Sequence, residues 1–264
     1  MKKYWTVTKN SWQLQLQYRL NLVLWRLRSI TILLVFYFLW LNLIKENSVF
    51  AGFSQSQIFT YFLLINLLRP IVFDGQQRRM AQEINDGSFS RYLIMPINHF
   101  LYEFSRQLSN KVINLFFAIV EVVIFILVLK PPLTIPSDPQ IWLFFFLSLF
   151  LATILYYFLS YLFNLTAFWS REAMGPRFLF DWILEFSAGA YFPLSILMRS
   201  FFVFLSFLPF FYLIYFPITI YLSKTELIGI QQGIIMQLVF TIIIGFFVRW
   251  AYKKSLKKYT GEGI

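Results

Sequence analysis

The sequence predicts an all-α, polytopic membrane protein with six transmembrane helices, and three observations support this fold class. Hydrophobic residues make up 59% of the 264 positions and charged residues only 13%, whereas soluble domains carry about 25% charged residues. Seven apolar stretches approach the roughly 20 residues that a helix needs to cross a bilayer. Basic residues cluster on one side of these stretches, as the positive-inside rule expects of cytoplasmic connections.

Composition excludes several functional classes. The chain has no cysteine and a single histidine, His99, so it can form no disulfide, no zinc–thiolate site and no site that needs two histidines. A net charge of +11 can indicate nucleic-acid binding. Here the positive charges flank apolar segments, so we expect membrane lipid and no nucleic acid around this chain. The first 28 residues alternate polar and apolar side chains, so we expect no signal peptide.

The seven apolar stretches do not all cross. They cover 29–44, 58–73, 112–129, 141–168, 178–198, 201–222 and 228–248. Most of the 23 basic residues fall on one side, and the exceptions are Lys45, Lys130, Arg199 and Lys224. Both termini are therefore predicted to be cytoplasmic, and this requires an even number of crossings.

The weakest of the seven candidate spans is 201–222. Pro209 and Pro217 interrupt helical hydrogen bonding there. We predict that 199–227 forms a re-entrant or interfacial pair of short helices on the outer side, which is tolerated only where protein or water shields the backbone. The alternative is that 178–198 does not cross, because charged residues lie at its start.

The two ends of the chain are predicted to lie at the cytoplasmic face. Residues 1–28 are typical of an amphipathic helix in the membrane interface, with Trp5 and Trp12 beside lysines. The alternative is a long first span that projects into the cytoplasm. Residues 249–264 form a basic tail.

The longest polar segment, 74–111, predicts a compact cytoplasmic knob. Residues 76–86 suit a short helix, and Gly87 is a plausible stop just past its end. Residues suited to N-caps follow at Ser88, Ser90 and Asn98. A knob of this size is either a docking element for a cytoplasmic partner or an ordinary charged loop.

Three carboxylates in or near the spans have two interpretations. Glu121 lies within a predicted span, where a carboxylate usually faces protein or water. Asp181 and Glu185 share one helix face, and Arg177 is spaced to pair with Asp181. These carboxylates either line a polar pathway or make structural contacts between helices. Arg69, at the end of another span, is expected to snorkel toward lipid phosphates.

One segment resembles a known family. Residues 83–98, EINDGSFSRYLIMPIN, are similar to the loop between the second and third spans of ABC transporter permeases of the second exporter type, also called type V. The matching positions are Glu83, Gly87, Phe89, Tyr92, Leu93 and Pro96. The ending KKYTGEGI also resembles the tails of six-span permeases in that family.

The resemblance implies a permease subunit of an ATP-binding-cassette exporter. It implies an N-terminal interfacial helix, six spans, a coupling helix in 74–111 and re-entrant helices before the last span. The implied partners are two ABC ATPase subunits and a second permease chain, identical or related, with an unlike pair favoured. The residues implied to dock the ATPase are Arg79, Glu83, Asp86, Gly87, Phe89, Arg91 and Tyr92. The candidates for lining the pathway are Glu121, Asp181 and Glu185.

The cofactor expectation follows from a missing motif. No G-x-x-x-x-G-K-[ST] phosphate loop occurs in the sequence, so ATP and Mg²⁺ are expected on the partner ATPase and no cofactor on this chain. The chain is then not itself an enzyme, and its expected location is the inner (plasma) membrane. The alternatives are an intramembrane lipid-modifying enzyme and a structural protein of membrane assembly.

Overall fold

The computed structural model describes residues 2–17, 19–44, 49–50, 52–73, 78–170, 174–225 and 227–259, and these are almost entirely helical. The helices are α1 (Lys2–Gln17), α2 (Arg19–Leu43), α3 (Gln55–Val72), α4 (Arg78–Asn85), α5 (Ser90–Ile94), α6 (His99–Leu129), α7 (Pro139–Asn164), α8 (Met174–Ser187), α9 (Arg199–Ser206), α10 (Tyr215–Tyr221) and α11 (Ile230–Leu256). Single 3₁₀ turns form at Leu165–Phe168, Leu194–Ile196 and Pro209–Tyr212. Strands β1 (Val49–Phe50) and β2 (Phe53–Ser54) pair antiparallel in a minimal hairpin.

Four of the described helices are long and apolar enough to cross a membrane: Leu22–Leu43, His99–Leu129, Pro139–Phe168 and Ile230–Leu256. This confirms the predicted helical, polytopic class. With 31 residues, α6 is about 46 Å long at about 1.5 Å per residue. Because a hydrocarbon core is about 30 Å thick, the first turns of α6 extend beyond it.

Helix α3 runs antiparallel to α6 and lies beside its C-terminal part. At one end, Thr134 N donates to Thr60 Oγ1 at 2.8 Å. At the other, Lys111 Nζ donates to the carbonyls of Ile71 and Val72 at 2.5 and 2.9 Å. These carbonyls have no partner in their own helix because α3 ends there. The buried lysine therefore completes the helix end and fixes it against α6.

The apolar stretch 178–198 is not one continuous helix, because α8 ends in its first half. Gly189 follows with a φ of 71°, a conformation that favours glycine. Its carbonyl accepts from Tyr61 Oη at 2.7 Å, and the Ala188 carbonyl accepts from Tyr215 N at 2.9 Å. The helix end is thus satisfied by contacts with α3 and α10.

The segment from α9 to α10 folds back into the protein. Residues 211–222 are all buried. Gln237 of α11 supplies hydrogen bonds at this depth: its Nε2 donates to the carbonyls of Ser148 and Tyr212 at 2.8 and 2.9 Å. Its Oε1 accepts from Ser148 Oγ at 3.0 Å. One amide side chain thereby joins α7, α11 and the 3₁₀ turn.

Helix α1 packs beside the start of α6 rather than standing apart. Thr8 Oγ1 donates to the Ser105 carbonyl at 3.0 Å, and Lys3 Nζ donates to the Pro96 carbonyl at 2.6 Å. Residues 19–28, which the sequence placed in the interfacial helix, belong to α2 together with the first span.

A close approach joins α11 to α10 at Gly233. A Cβ added there would lie 2.1 Å from Cζ of Phe216, and Phe216 is 1% exposed. The ring has no free space to move into, so the position requires glycine.

We therefore expect Gly233→Ala to lower the free energy of unfolding by about 1–3 kcal/mol, because overpacking displaces buried neighbours. The measurement is the fraction of monodisperse protein left after heating in detergent. Gly175→Ala is the matched control, since a Cβ there meets nothing within 4 Å. Equal melting curves for the two variants would contradict the packing at Gly233.

Candidate functional site

The knob, residues 78–97, consists of α4, α5 and the connection to α6. Its chain reverses at Gly87, whose φ is 78°. Ser88 N donates to Asp86 Oδ1 at 2.9 Å, and hydrogen bonds from the Ser88 side chain and backbone hold the pKa of Asp86 below its usual value. The turn between the two short helices is therefore closed by its own side chains.

The predicted helix caps in this region have different outcomes. Asn98 is confirmed as the N-cap of α6, with its Oδ1 accepting from Leu101 N at 3.2 Å. The prediction of Ser88 or Ser90 as the cap of α5 is wrong. Phe89 occupies that position without a side-chain hydrogen bond, and its ring is buried in the interior.

Glu83 is the centre of the knob and is only 4% exposed. Its Oε1 accepts from Arg91 Nη2 at 2.6 Å, from Arg79 Nε at 2.9 Å and from Tyr92 Oη at 3.1 Å. Burial raises the pKa of Tyr92, and the nearby Glu83 carboxylate raises it further. The phenol therefore stays protonated and remains a donor, so three side chains from both helices converge on one oxygen.

The inner side of the knob packs against other parts of the chain. Phe89 is 0% exposed, and its ring centroid lies 5.3 Å from that of Phe168 and 5.6 Å from that of Tyr259. Tyr259 Oη also donates to the Gly87 carbonyl at 2.7 Å. The segment after the last span thus closes the knob.

The outward tip of the knob is apolar. Leu93, Ile94 and Met95 are 48%, 86% and 46% exposed, although apolar residues in a polar loop are normally covered.

Among the residues predicted to dock a partner, the exposed ones are Arg79, Asp86 and Arg91, and the buried ones are Glu83, Gly87, Phe89 and Tyr92. The buried group shapes the knob, and the sequence analysis missed Ile94 and Met95, although a short apolar run before a proline could have indicated them.

Glu121 is tied to the first span. Its carboxylate accepts from Ser29 Oγ at 2.9 Å and from Arg26 Nη1 at 3.4 Å. Arg26 Nη2 also donates to Asn114 Oδ1 at 2.9 Å. The carboxylate therefore links α6 to α2. Of the two interpretations of Glu121, this geometry corresponds to a structural contact between helices.

Arg177 joins α8 to the end of α7. The side chain is buried, with the residue 1% exposed. The predicted pairing is confirmed, because Arg177 Nε donates to Asp181 Oδ1 at 2.9 Å. Its Nη1 donates to Asn164 Oδ1 at 2.9 Å and to the Ser160 carbonyl at 3.1 Å, and its Nη2 donates to the Ser160 hydroxyl.

Arg69 forms an ion pair with Glu185 instead of reaching only toward lipid. Tyr191 Oη donates to Glu185 Oε2 at 2.5 Å, and the Arg69 guanidinium lies 5.3 Å from the centre of the Tyr191 ring. The ion-paired side chains are 29% and 24% exposed. Among the three candidate pathway carboxylates, Glu185 is therefore the most accessible.

These elements define a multi-pass helical membrane protein. A family model described as "ABC-2 family transporter protein" matches residues 30–263. The match covers most of the chain, so the chain belongs to the ABC-2 transporter family, as the resemblance of the 83–98 segment predicted. Membership makes it a membrane component of an ABC transporter, of a generally non-enzymatic kind that associates with ABC ATPases. No curated protein and no solved structure matches the chain.

We expect Arg177→Gln to lower the free energy of unfolding by about 3–5 kcal/mol, because it removes the buried cation that donates to Asp181, Asn164 and Ser160. The measurement is the yield and melting temperature of the protein in detergent. Arg199→Gln, which makes the same chemical change at an exposed residue, should leave both near the parent values. A normal yield and melting temperature for Arg177→Gln would show that the buried network is not needed for folding.

Proposed function

We propose that this chain is the permease subunit of an ATP-driven exporter, with a separate ATPase subunit docked on the knob. The exposed tip at Leu93, Ile94 and Met95 carries the proposal. It presents apolar side chains on a base that Glu83 and Tyr259 hold rigid. A rigid apolar projection is suited to inserting into a partner's groove and passing on its movement. Two such ATPases, holding ATP and Mg²⁺, would serve a pair of permeases.

Six crossings are supported by the positions of α3 and α8. Helix α3 has 18 residues and a length of about 27 Å, and it lies beside the bilayer-length part of α6. Helix α8 begins beside Asn164, at the end of α7, through Arg177. It leads to Gly189, whose carbonyl accepts from Tyr61 in the first half of α3, the half that lies beside the end of α6. We infer that both segments cross together with the four long helices.

The depth of the 3₁₀ turn supports a re-entrant segment. The Tyr212 carbonyl accepts from Gln237 Nε2, which also donates to the Ser148 carbonyl, and Ser148 lies about 14 Å along α7 from its first residue. Helix α10 then returns, so that the ring of Tyr221 lies 5.2 Å from that of Trp142, near the start of α7. We propose that 199–227 enters from the outer side and leaves on the same side.

The orientation follows from which segments meet at the knob. The first helix reaches it through Lys3 and Pro96, and the tail reaches it through Tyr259 and Gly87. Both ends of the chain therefore lie at the knob's side of the molecule. Because the positive-inside rule favours this side for the cytoplasm, we propose that both termini, helix α1, the segment 74–111 and the tail 249–264 lie at the cytoplasmic side, with an ATPase below the inner membrane.

We propose that the face carrying Glu185 borders the translocation pathway. The Arg69–Glu185 pair is partly exposed, and residues 195–198, which lie outside the α-helices, are partly or fully exposed. Neither charges nor irregular backbone are stable against lipid tails. A second permease chain, identical or related, would enclose this face and leave a polar route along Asp181 and Glu185, while Glu121 holds α6 to α2.

We expect a cysteine at the knob tip to cross-link to the ATPase. The chain has no cysteine, so Ile94→Cys supplies the one thiol on this chain for a short bifunctional reagent in isolated native membranes. Mass spectrometry of the product should show a chain with a phosphate loop. Ile135→Cys, at a residue 69% exposed in the connection after α6, is the matched control and should give no such product. If both variants gave no ATPase adduct, an enzyme or assembly protein would become the better hypothesis.

The proposed topology predicts opposite labelling of the same two variants. A membrane-impermeant maleimide should label Ile135→Cys in intact cells without its outer membrane, if one is present. Ile94→Cys should react only after the membrane is permeabilised. Labelling of both from the same side would contradict the six-span orientation.

A further inference from the structure

A buried cluster of charged and polar side chains lies between the knob and the spans. Arg106 of α6 donates through Nη2 to Glu103 Oε2 at 2.8 Å. Glu103 Oε1 lies 3.7 Å from Nε2 of His99, and His99 Nδ1 lies 3.1 Å from Tyr161 Oη of α7. Arg106 Nη1 also faces Glu83 Oε1 of the knob at 4.0 Å.

The contact between Arg106 and Glu83 is incomplete. A nitrogen–oxygen distance of 4.0 Å is too long for a hydrogen bond. Within the described part of the chain, Glu83 Oε2 and the Nη1 and Nε atoms of Arg106 have no hydrogen-bond partner. Both side chains are 5% exposed. Buried polar groups are normally hydrogen-bonded. Here the Arg106 guanidinium has unused donors and the Glu83 carboxylate has an unused acceptor, and the two groups face each other across a narrow gap.

The knob can close this gap without losing its own contacts. Arg79, Arg91 and Tyr92 all donate to Oε1 of Glu83, which leaves Oε2 free. Arg106 Nη1 lies 4.0 Å from Oε1, so a shift of the knob toward α6 by about 1 Å, with a small rotation of the carboxylate to present Oε2, would allow the hydrogen bond. The new bond would be charge-assisted on both sides and therefore strong for its class.

We propose that Arg106 is the positioning residue that couples the knob to the spans, through a contact with Glu83 that is open in this arrangement and closed when the ATPase pushes the knob. This inference rests on the proposed function. Because Arg106 is fixed to Glu103, and the cluster continues through His99 to Tyr161, the closed contact pulls on both α6 and α7. The Arg106–Glu83 contact then has two discrete arrangements, open and closed, and coupling between distant sites requires an element of this kind.

The test is a double-mutant cycle on the complex of this chain with its co-purified ATPase in lipid nanodiscs. The four chains are the parent, Glu83→Gln, Arg106→Gln and the double variant, and the readout is ATP hydrolysis with Mg²⁺. Each single variant should lower the rate about tenfold, the effect of a lost charged hydrogen bond. The double variant should lower it no further, because all three lack the same contact.

The melting temperature of the nucleotide-free complex is the second readout. The coupling between the two substitutions should be weaker in this temperature than in hydrolysis, because at 4.0 Å Arg106 and Glu83 attract each other but share no hydrogen bond in the open arrangement. Arg106→Lys retains the charge and should keep more hydrolysis than Arg106→Gln. Arg199→Gln is the matched control and should hydrolyse ATP like the parent.

Three results would overturn the inference. They are multiplicative losses of hydrolysis in the double variant, equal rates for Arg106→Lys and Arg106→Gln, and unchanged hydrolysis in Arg106→Gln. If Glu83→Gln gives no folded protein, the comparison of the two Arg106 variants still decides. Failure of the parent chain itself to co-purify with any ATPase would instead overturn the proposed function.

Discussion

The architecture depends on hydrogen-bonding the non-helical backbone inside the membrane, and the side-chain amide of Gln237 is the clearest example. Lipid tails offer no hydrogen bonds, so every peptide group at membrane depth needs a partner within the protein. Regular helices satisfy this by themselves, but residues 188–222 leave the helical path several times. Their carbonyls are instead taken up by side chains from distant elements, as Tyr61 does for Gly189 and Gln237 does for Tyr212. The irregular segment can therefore exist only where the surrounding helices place these donors.

Charged residues near and within the spans follow the same logic. Arg26 meets Glu121 between α2 and α6, Arg69 meets Glu185 between α3 and α8, and Arg177 holds α8 to α7. Each contact joins two helices that adjoin in space. A charge that would be costly alone in a bilayer thereby fixes how a pair of helices is placed. The pair at Glu185 differs because part of it remains exposed, and this is why the proposed pathway runs along it.

The fold was predictable from sequence where the signal is local. Composition and basic-residue asymmetry predicted the class of protein, and the spacing of four residues predicted the Arg177–Asp181 pair. Asn98 was recognisable as a cap because a polar residue preceded a long apolar helix. The apolar stretch 178–198 was misleading as one continuous helix, because hydropathy does not report that α8 stops before Gly189.

The site was less predictable because its contacts are long-range. Glu121 and Arg26 are 95 residues apart, and Glu185 and Arg69 are 116 apart, so no spacing rule relates them. Likewise, the 83–98 motif identified the knob but not which of its residues face outward. Glu83 lies inside because tertiary contacts surround it, and the apolar Ile94 lies outside, against the usual expectation for such residues.

The bond from Tyr259 to the Gly87 carbonyl spans 172 residues of sequence, and this has a consequence for biogenesis. Chains emerge from the ribosome from the N-terminus at about 5–20 residues per second, so the knob is made well before the residue that closes it. Under the proposed function, a nascent chain therefore offers the ATPase an unfinished docking surface until the last span is in place. The order of synthesis alone would then disfavour recruitment of the ATPase before the chain is complete.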